Sequence, residues 1–268
     1  MKDKPLFSII VVSYNAEDKI KATIDSALKQ TYADYEIVVK DAMSKDSTLA
    51  RVPSDDRIRV FQNKDSGIYD GMNEAIDYAT GELLFFLNCG DLFQNEKVLE
   101  TVAKFYEEKN RSCEFIYGSI ERGDAILELP DNLSNFFMYH GMIFHQAVFF
   151  KKDLFEKYGK YDLTYKLAGD YEYMLRTYKN NVKMDKIDLV ICSYEGDGAS
   201  ETASGTKRGY AERKRIIRRY YTLGERLAFG AIMFLSFRKL RIYMASDKAP
   251  KLLNSAYYAM RKKLYGKR

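Results

Sequence analysis

The chain has 268 residues, 46% hydrophobic and 14% aromatic with only 4 prolines, which is enough to bury a sizeable core and excludes a largely disordered protein. Its net charge of +5 conceals an acidic body and a basic tail: residues 1–206 carry 25 basic and 35 acidic side chains, residues 207–268 carry 18 and 3. Asymmetry of that kind points the tail toward a nucleic acid or an anionic membrane.

The first element is predicted at 7–12 (FSIIVV), a short apolar run of the kind found in strands covered on both faces. The N-terminal stretch MKDKPLFSIIVVSYN lacks an apolar segment with a small-residue cleavage site, so it reads as this strand and not as a leader. Ile20, Ile24 and Leu28 repeat every four residues and predict a helix; a second strand follows at 36–39 (EIVV). Met72, Ala75, Ile76 and Ala79 then mark another helix, 83–87 (LLFFL) a third strand, and Val98, Leu99, Val102, Phe105 and Tyr106 the apolar face of a third helix. Alternation of this kind predicts an α/β fold, a mostly parallel sheet flanked by helices with right-handed crossovers.

In such sheets ligands bind beyond the carboxyl ends of the strands. The three runs end in Ser13-Tyr14-Asn15, Lys40-Asp41 and Asn88-Cys89-Gly90-Asp91, which gathers polar groups at one sheet edge. Each cluster alone could be ordinary turn chemistry. Neither G-x-G-x-x-G nor G-x-x-x-x-G-K-[ST] occurs, so phosphates would need another neutraliser, and a divalent cation held by Asp91 would serve. Cys89, Cys113 and Cys192 are odd in number, widely spaced and outside any metal-ligand pattern; they read as free thiols in a reducing compartment, with the cytoplasm as the expected location.

The strings FSIIVVSYNAED, DAMSKDST, KDSGIYDGMNEAIDYATGELLFFLNCGD and LAGDYEYMLR resemble, in order and spacing, the family 2 inverting glycosyltransferases with the GT-A fold, over roughly residues 6–200. The resemblance implies a nucleotide-sugar donor and a divalent metal, Mn²⁺ or Mg²⁺. It places Tyr14 and Asn15 against the donor's base and ribose, Asp41 on the base, Asp65, Ser66 and Gly67 in a loop near nucleotide and sugar, with Asn73 and Asn88 also on the donor side. Asp91 matches the last aspartate of the metal motif, Asp170 the catalytic base, and the pair His145-Gln146 lies toward the acceptor. The chain departs from the family pattern where Gly90 precedes Asp91, leaving one carboxylate for the metal with only the neutral amide oxygen of Asn88 to assist. Ala42 likewise follows Asp41 where many relatives have a second aspartate.

The implied reaction needs a base for the acceptor hydroxyl and a Lewis acid for the departing diphosphate. Asp170 has two rivals to that reading: it could be a helix N-cap, and Glu172 could be the base instead. His145 beside Phe144, Phe149 and Phe150 could equally be a core histidine.

Beyond residue 207, Arg213, Lys214, Arg215, Arg218 and Arg219 interleave with Ile216, Ile217, Tyr220 and Tyr221, and an eleven-residue apolar run follows at 227–237. As a helix that run spans roughly 17 Å, short of the ~30 Å hydrocarbon core, so it is not a membrane span. Leu252, Leu253, Ala256, Met260 and Leu264 predict a last amphipathic helix. The basic amphipathic extension suits an interfacial anchor on an anionic membrane; packing on the body or a homo-oligomer is the alternative, and no nucleic-acid module accompanies the charge. The combined expectation is a peripheral enzyme transferring sugar from a nucleotide-sugar, read as a UDP-sugar, to a glycan or polyprenyl-diphosphate-linked acceptor in surface polysaccharide assembly. A noncatalytic nucleotide-sugar-binding or scaffold protein is the competing reading.

Overall fold

The computed structural model describes residues 4–194 and 203–235. The expected helix over 252–264 lies outside them. The described chain falls into two compact units, Met1–Leu129 with Ile143–Arg213, and Pro130–Met142 with the residues from Lys214 onward.

The first unit is built on one sheet. β1 (Phe7–Ser13) lies parallel to β2 (Tyr35–Asp41) and to β4 (Leu83–Phe86), and β2 is parallel to β3 (Ile58–Gln62). The order across the sheet is β3-β2-β1-β4-β8-β6-β9-β5. Its second half contains β5 (Leu92–Phe93), β6 (Phe115–Arg122), β8 (Val148–Lys151) and β9 (Met184–Ser193), with β7 (Ala125–Leu127) paired to β6 off the main path. β8 is antiparallel to both β4 and β6, so the parallel half is joined to the rest through an antiparallel strand. β1, β2 and β4 are buried on both faces because α1 (Ile20–Leu28), α2 (Ile68–Tyr78) and α3 (Val98–Glu108) flank the sheet, which is why these strands are continuous apolar runs rather than alternating ones.

The three expected helices and strands are present. β3 was not expected, and its residues explain why: IRVFQ lies at the sheet edge with only Ile58 and Phe61 half-buried among exposed residues, and it never forms an apolar run. Behind the third-strand loop, α5 (Asp153–Tyr158) and α6 (Gly169–Lys179) pack through aromatic rings. Phe155 stacks on Tyr173 at 4.6 Å, and Tyr161 sits 5.2 Å from Tyr173 and 5.4 Å from Tyr69. α7 (Ala203–Tyr220) runs through residue 206 and spans both units.

The second unit contains α4 (Asn135–His140) and α8 (Leu223–Leu235). Phe229 meets Phe136, Tyr139 and Tyr221 at ring separations of 5.4, 5.2 and 6.0 Å, and the Tyr221 hydroxyl donates to the Asn135 carbonyl. Outside that small aromatic core, Leu223, Leu227 and Ile232 of α8 are exposed. No helix among the described residues is long and apolar enough to cross a membrane.

Candidate active site

The carboxyl ends of β1 and β4, the first turn of α2 and the start of α6 enclose a cleft of about 450 Å³. Tyr14, Asn15, Asn88, Asp91, His145, Gln146 and Asp170 all stand on its wall, so seven sequence-predicted residues from four separate segments converge. Asp41, Asp65, Ser66, Gly67 and Asn73 do not reach the wall, and the structure gives each a different task.

Asp41 is fully buried at the end of β2. Its carboxylate accepts from Ser13 Oγ at 3.0 Å, Ser44 N at 2.8 Å, Ser44 Oγ at 2.5 Å and Gln62 Nε2 at 3.3 Å. The Ser44 oxygen in turn accepts the Asn15 N–H at 2.8 Å, and Asn15 Oδ1 accepts the Lys45 N–H. Asp41 therefore fixes the Tyr14-Asn15 loop, in which Asn15 holds a positive φ of 47° and Tyr14 is 61% exposed beside the cleft. Asparagine tolerates that left-handed backbone better than most side chains.

Asp65 faces inward to Lys40, a buried lysine whose Nζ lies 2.8 Å from Asp65 Oδ2 and 3.4 Å from Glu74. A buried ammonium must be paired, and this pairing turns Asp65 away from the cleft. Ser66 N–H donates to Asp70, and Gly67 adopts φ 135° immediately before α2, a conformation that a side chain would strain. Asn73 makes a two-way tether, donating from Nδ2 to the Tyr161 carbonyl and accepting the Tyr161 N–H on Oδ1, both at 2.9 Å. The resemblance implies donor-side positions for Asp65 and Asn73; in the structure they also have protein partners, Lys40 and the Tyr161 backbone.

Asp170 sits in the first turn of α6, and the cap position is Ala168, so Asp170 is not the N-cap. Its carboxylate accepts from the Tyr69 hydroxyl at 2.9 Å, and its Oδ2 lies 3.4 Å from His145 Nδ1. Burial by itself raises the pKa of Asp170, but His145, the Tyr171 N–H and the Tyr69 hydroxyl outweigh it and hold the carboxyl below its ordinary value. Burial and the neighbouring Asp170 charge push the Tyr69 phenol well up, so Tyr69 stays protonated and donates. Gly169 is required for this contact, since a Cβ there would stand 2.9 Å from the Tyr69 ring. Glu172, the rival base, is 1% exposed, off the cleft wall and paired with Arg176 at 2.9 Å.

His145 links this carboxylate to the third-strand loop: its Nε2 is 2.8 Å from Asn88 Nδ2. With the Asn88 amide N–H donating to Nε2, the neutral ring carries its proton on Nδ1, facing Asp170; this tautomer is assigned from the contacts. The same orientation leaves Asn88 Oδ1 buried without a hydrogen-bond partner. Asp91, 4% exposed, shares the loop and the cleft wall. Among the described residues no three His, Cys, Asp or Glu side chains cluster as a metal cage. One carboxylate and one orphaned amide oxygen fit a cation that arrives with phosphate and water ligands, as Mg²⁺ commonly does. Burial, with the Asp91 and Asp41 charges, pushes the Cys89 thiol up to about 12.

Sequence reasoning missed Tyr69, Lys19 and Lys166. Tyr69 lay inside the quoted GIYDGMN string, one residue into a helix directed at the cleft, and that position was its signal. Lys19 and Lys166 join the cleft wall from the loop before α1 and the loop before α6, and nothing in their sequence context distinguishes them from surface lysines.

The same fold occurs in S. aureus TarS 1–349 solved with UDP-GlcNAc, at a TM-score of 0.63 and 18% identity over 96% of this chain and 80% of that one. It also occurs in the mannosyltransferase PcManGT from Pyrobaculum calidifontis solved with GDP-Man and Mn²⁺, at 0.63 and 16% over 98% and 81%. These likenesses define a GT-A glycosyltransferase fold. The chain belongs to glycosyl transferase family 2, whose sequence model matches residues 8–160. It is 32% identical over 211 residues to a PGL/p-HBAD biosynthesis glycosyltransferase of Mycobacterium bovis, covering 74% of this chain and 80% of the relative. Over 122 residues, 44% of this chain and 47% of the relative, it is 41% identical to the Escherichia coli UDP-Glc:alpha-D-GlcNAc-diphosphoundecaprenol beta-1,3-glucosyltransferase WfgD.

Proposed function

We propose that this glycosyltransferase moves a sugar from a UDP-sugar to a hydroxyl of a lipid-linked glycan, with inversion, in cell-surface polysaccharide assembly. The observation that carries the reading is a buried carboxylate, Asp170, kept ionised by Tyr69 and His145 on the wall of the cleft that also holds Asp91. A charged, fixed carboxylate is what removing a proton from an attacking hydroxyl requires. Similarity to WfgD, a glucosyltransferase named for a UDP-linked donor and a diphosphoundecaprenol-linked acceptor, supports this donor and acceptor class.

On the donor side, Tyr14 and Asn15 receive the nucleoside, and Asp41 acts through the Ser44 hydrogen bonds that shape their loop. The Asp65–Gly67 turn sets the start of α2. Lys19 and Lys166 offer positive charge toward a diphosphate. Asp91, assisted by Asn88 Oδ1, would hold Mn²⁺ or Mg²⁺, and a bound cation supplies Lewis-acid stabilisation of the leaving diphosphate. Asp170 accepts the hydroxyl proton, while Gln146 and His145 lie toward the acceptor. The basic end of α7 and the exposed apolar residues of α8 hold the enzyme at an anionic lipid surface, where a lipid-linked acceptor is found.

A panel of nucleotide sugars, screened with Mn²⁺ by thermal stabilisation and then by turnover, tests the reading. Asp170→Asn is expected to retain UDP binding and to lose ~10²–10⁴-fold in turnover. Asp91→Asn is expected to lose the metal-dependent part of UDP binding. Normal turnover by both variants would overturn the site assignment.

A further inference from the structure

The base is carried by a loop that is itself gripped from outside the cleft. Lys166, Leu167 and Ala168 lead directly into α6, and Lys166 and Leu167 stand on the cleft wall. Their three successive N–H groups all donate to one side chain, the carboxylate of Glu212 on α7: Lys166 N to Oε1 at 2.9 Å, Leu167 N and Ala168 N to Oε2 at 2.9 and 3.0 Å. Next to Glu212, the Arg213 guanidinium lies 4.2 Å from the centre of the Tyr171 ring, the residue after the base. α7 thus holds the chain on both sides of Asp170.

Donors just ahead of a helix have no intrahelical acceptor, and hydrogen bonds to an ionised acceptor are about twice as strong as neutral ones. Three of them converging on one carboxylate fix the course of the loop, and with it the point from which α6 starts. Glu212 is not on the cleft wall, and it grips this loop through its backbone N–H groups. We propose that Glu212 is a positioning residue for the transfer reaction, setting the Asp170 carboxylate relative to the acceptor hydroxyl. The proposal rests on the reading of Asp170 as the base.

The test uses the full chain, with Glu212→Ala and the gentler Glu212→Gln, which keeps the side-chain shape but replaces one acceptor oxygen by a donor. Amide hydrogen exchange across 166–168 is expected to accelerate in both, more in the alanine variant. With a UDP-sugar turned over by the wild type, kcat is expected to fall by about 10²-fold in Glu212→Ala, the scale of an ångström misplacement, while UDP affinity is retained. In an Asp170→Asn background the same substitution is expected to cost no further activity, because the residue through which Glu212 acts is already disabled. Opened amides with undiminished kcat would overturn the proposal. So would losses of kcat and UDP affinity that track the folded fraction, or an equal loss in the Asp170→Asn background. A wild type inactive with every donor of the panel would overturn the functional reading first, and the wild-type measurement alone reveals that.

Discussion

Burial of Asp170 works against its charge, and named neighbours oppose that effect. His145 supplies the largest lowering contribution, followed by the Tyr171 N–H and the Tyr69 hydroxyl. Because the folded-state pKa is depressed, the stability this carboxylate contributes is present above its unfolded value and lost as pH falls through the folded one. The same depression places the acid limb of kcat/KM governed by Asp170 below the ordinary aspartate value of about 3.9. Replacing His145 by Ala removes that contribution, lets burial dominate and moves the limb upward. Rate profiles of wild type and His145→Ala from about pH 3 to 8 check this, and coincident acid limbs would refute it. The position of Asp170 on the cleft wall was legible from its motif, but the His145 contact was not, since the antiparallel pairing of β8 with β4 is what brings the residues before β8 to this edge of the sheet. His145, expected as a core histidine or an acceptor-side group, bridges Asn88 and the Asp170 carboxylate.

Elements were legible where burial on both faces wrote an apolar run, as in β1, β2 and β4, and illegible where an edge strand such as β3 is mostly exposed. Side-chain direction was harder to read than element identity. Asn73 lies on α2 within the most family-like string, yet its helical phase points it at the Tyr161 backbone, where it ties α2 to the segment preceding α6. Removing it leaves a backbone N–H and carbonyl in a part-buried setting without partners, which costs about 1–3 kcal/mol. Asn73→Ala is therefore expected to lower the unfolding free energy by that amount with unchanged UDP affinity. Calorimetric titration with UDP and a denaturant melt on the same protein separate the two, and weakened UDP binding at full stability would restore Asn73 to the donor site.

At the scale of the whole molecule, the charge asymmetry acquires a physical location. The cleft-wall carboxylates Asp91 and Asp170 belong to the acidic first 206 residues, but the loop leading into Asp170 is hydrogen-bonded from beyond them by Glu212, inside the same helix that carries the basic cluster. Lys214, Arg215, Arg218 and Arg219 follow within two turns, and α8 then exposes Leu223, Leu227 and Ile232. Basic residues beside exposed apolar ones are the composition of an interfacial anchor, in which each Lys or Arg near an anionic bilayer contributes about 1 kcal/mol. Changing these four basic residues to Gln in the full chain is expected to weaken binding to phosphatidylserine-containing vesicles by about 4 kcal/mol, or ~10³-fold at low salt. Raising the ionic strength should reproduce much of that loss in the wild type, since surface attraction decays within a Debye length of about 10 Å at 0.1 M. Leu227→Ser should weaken binding without the salt dependence changing, because it removes an apolar contact and alters no charge. Vesicle co-sedimentation over a salt series reads all three. Equal sedimentation of wild type and the four-residue variant at low salt would sink the membrane assignment and leave self-association as the role of the charge.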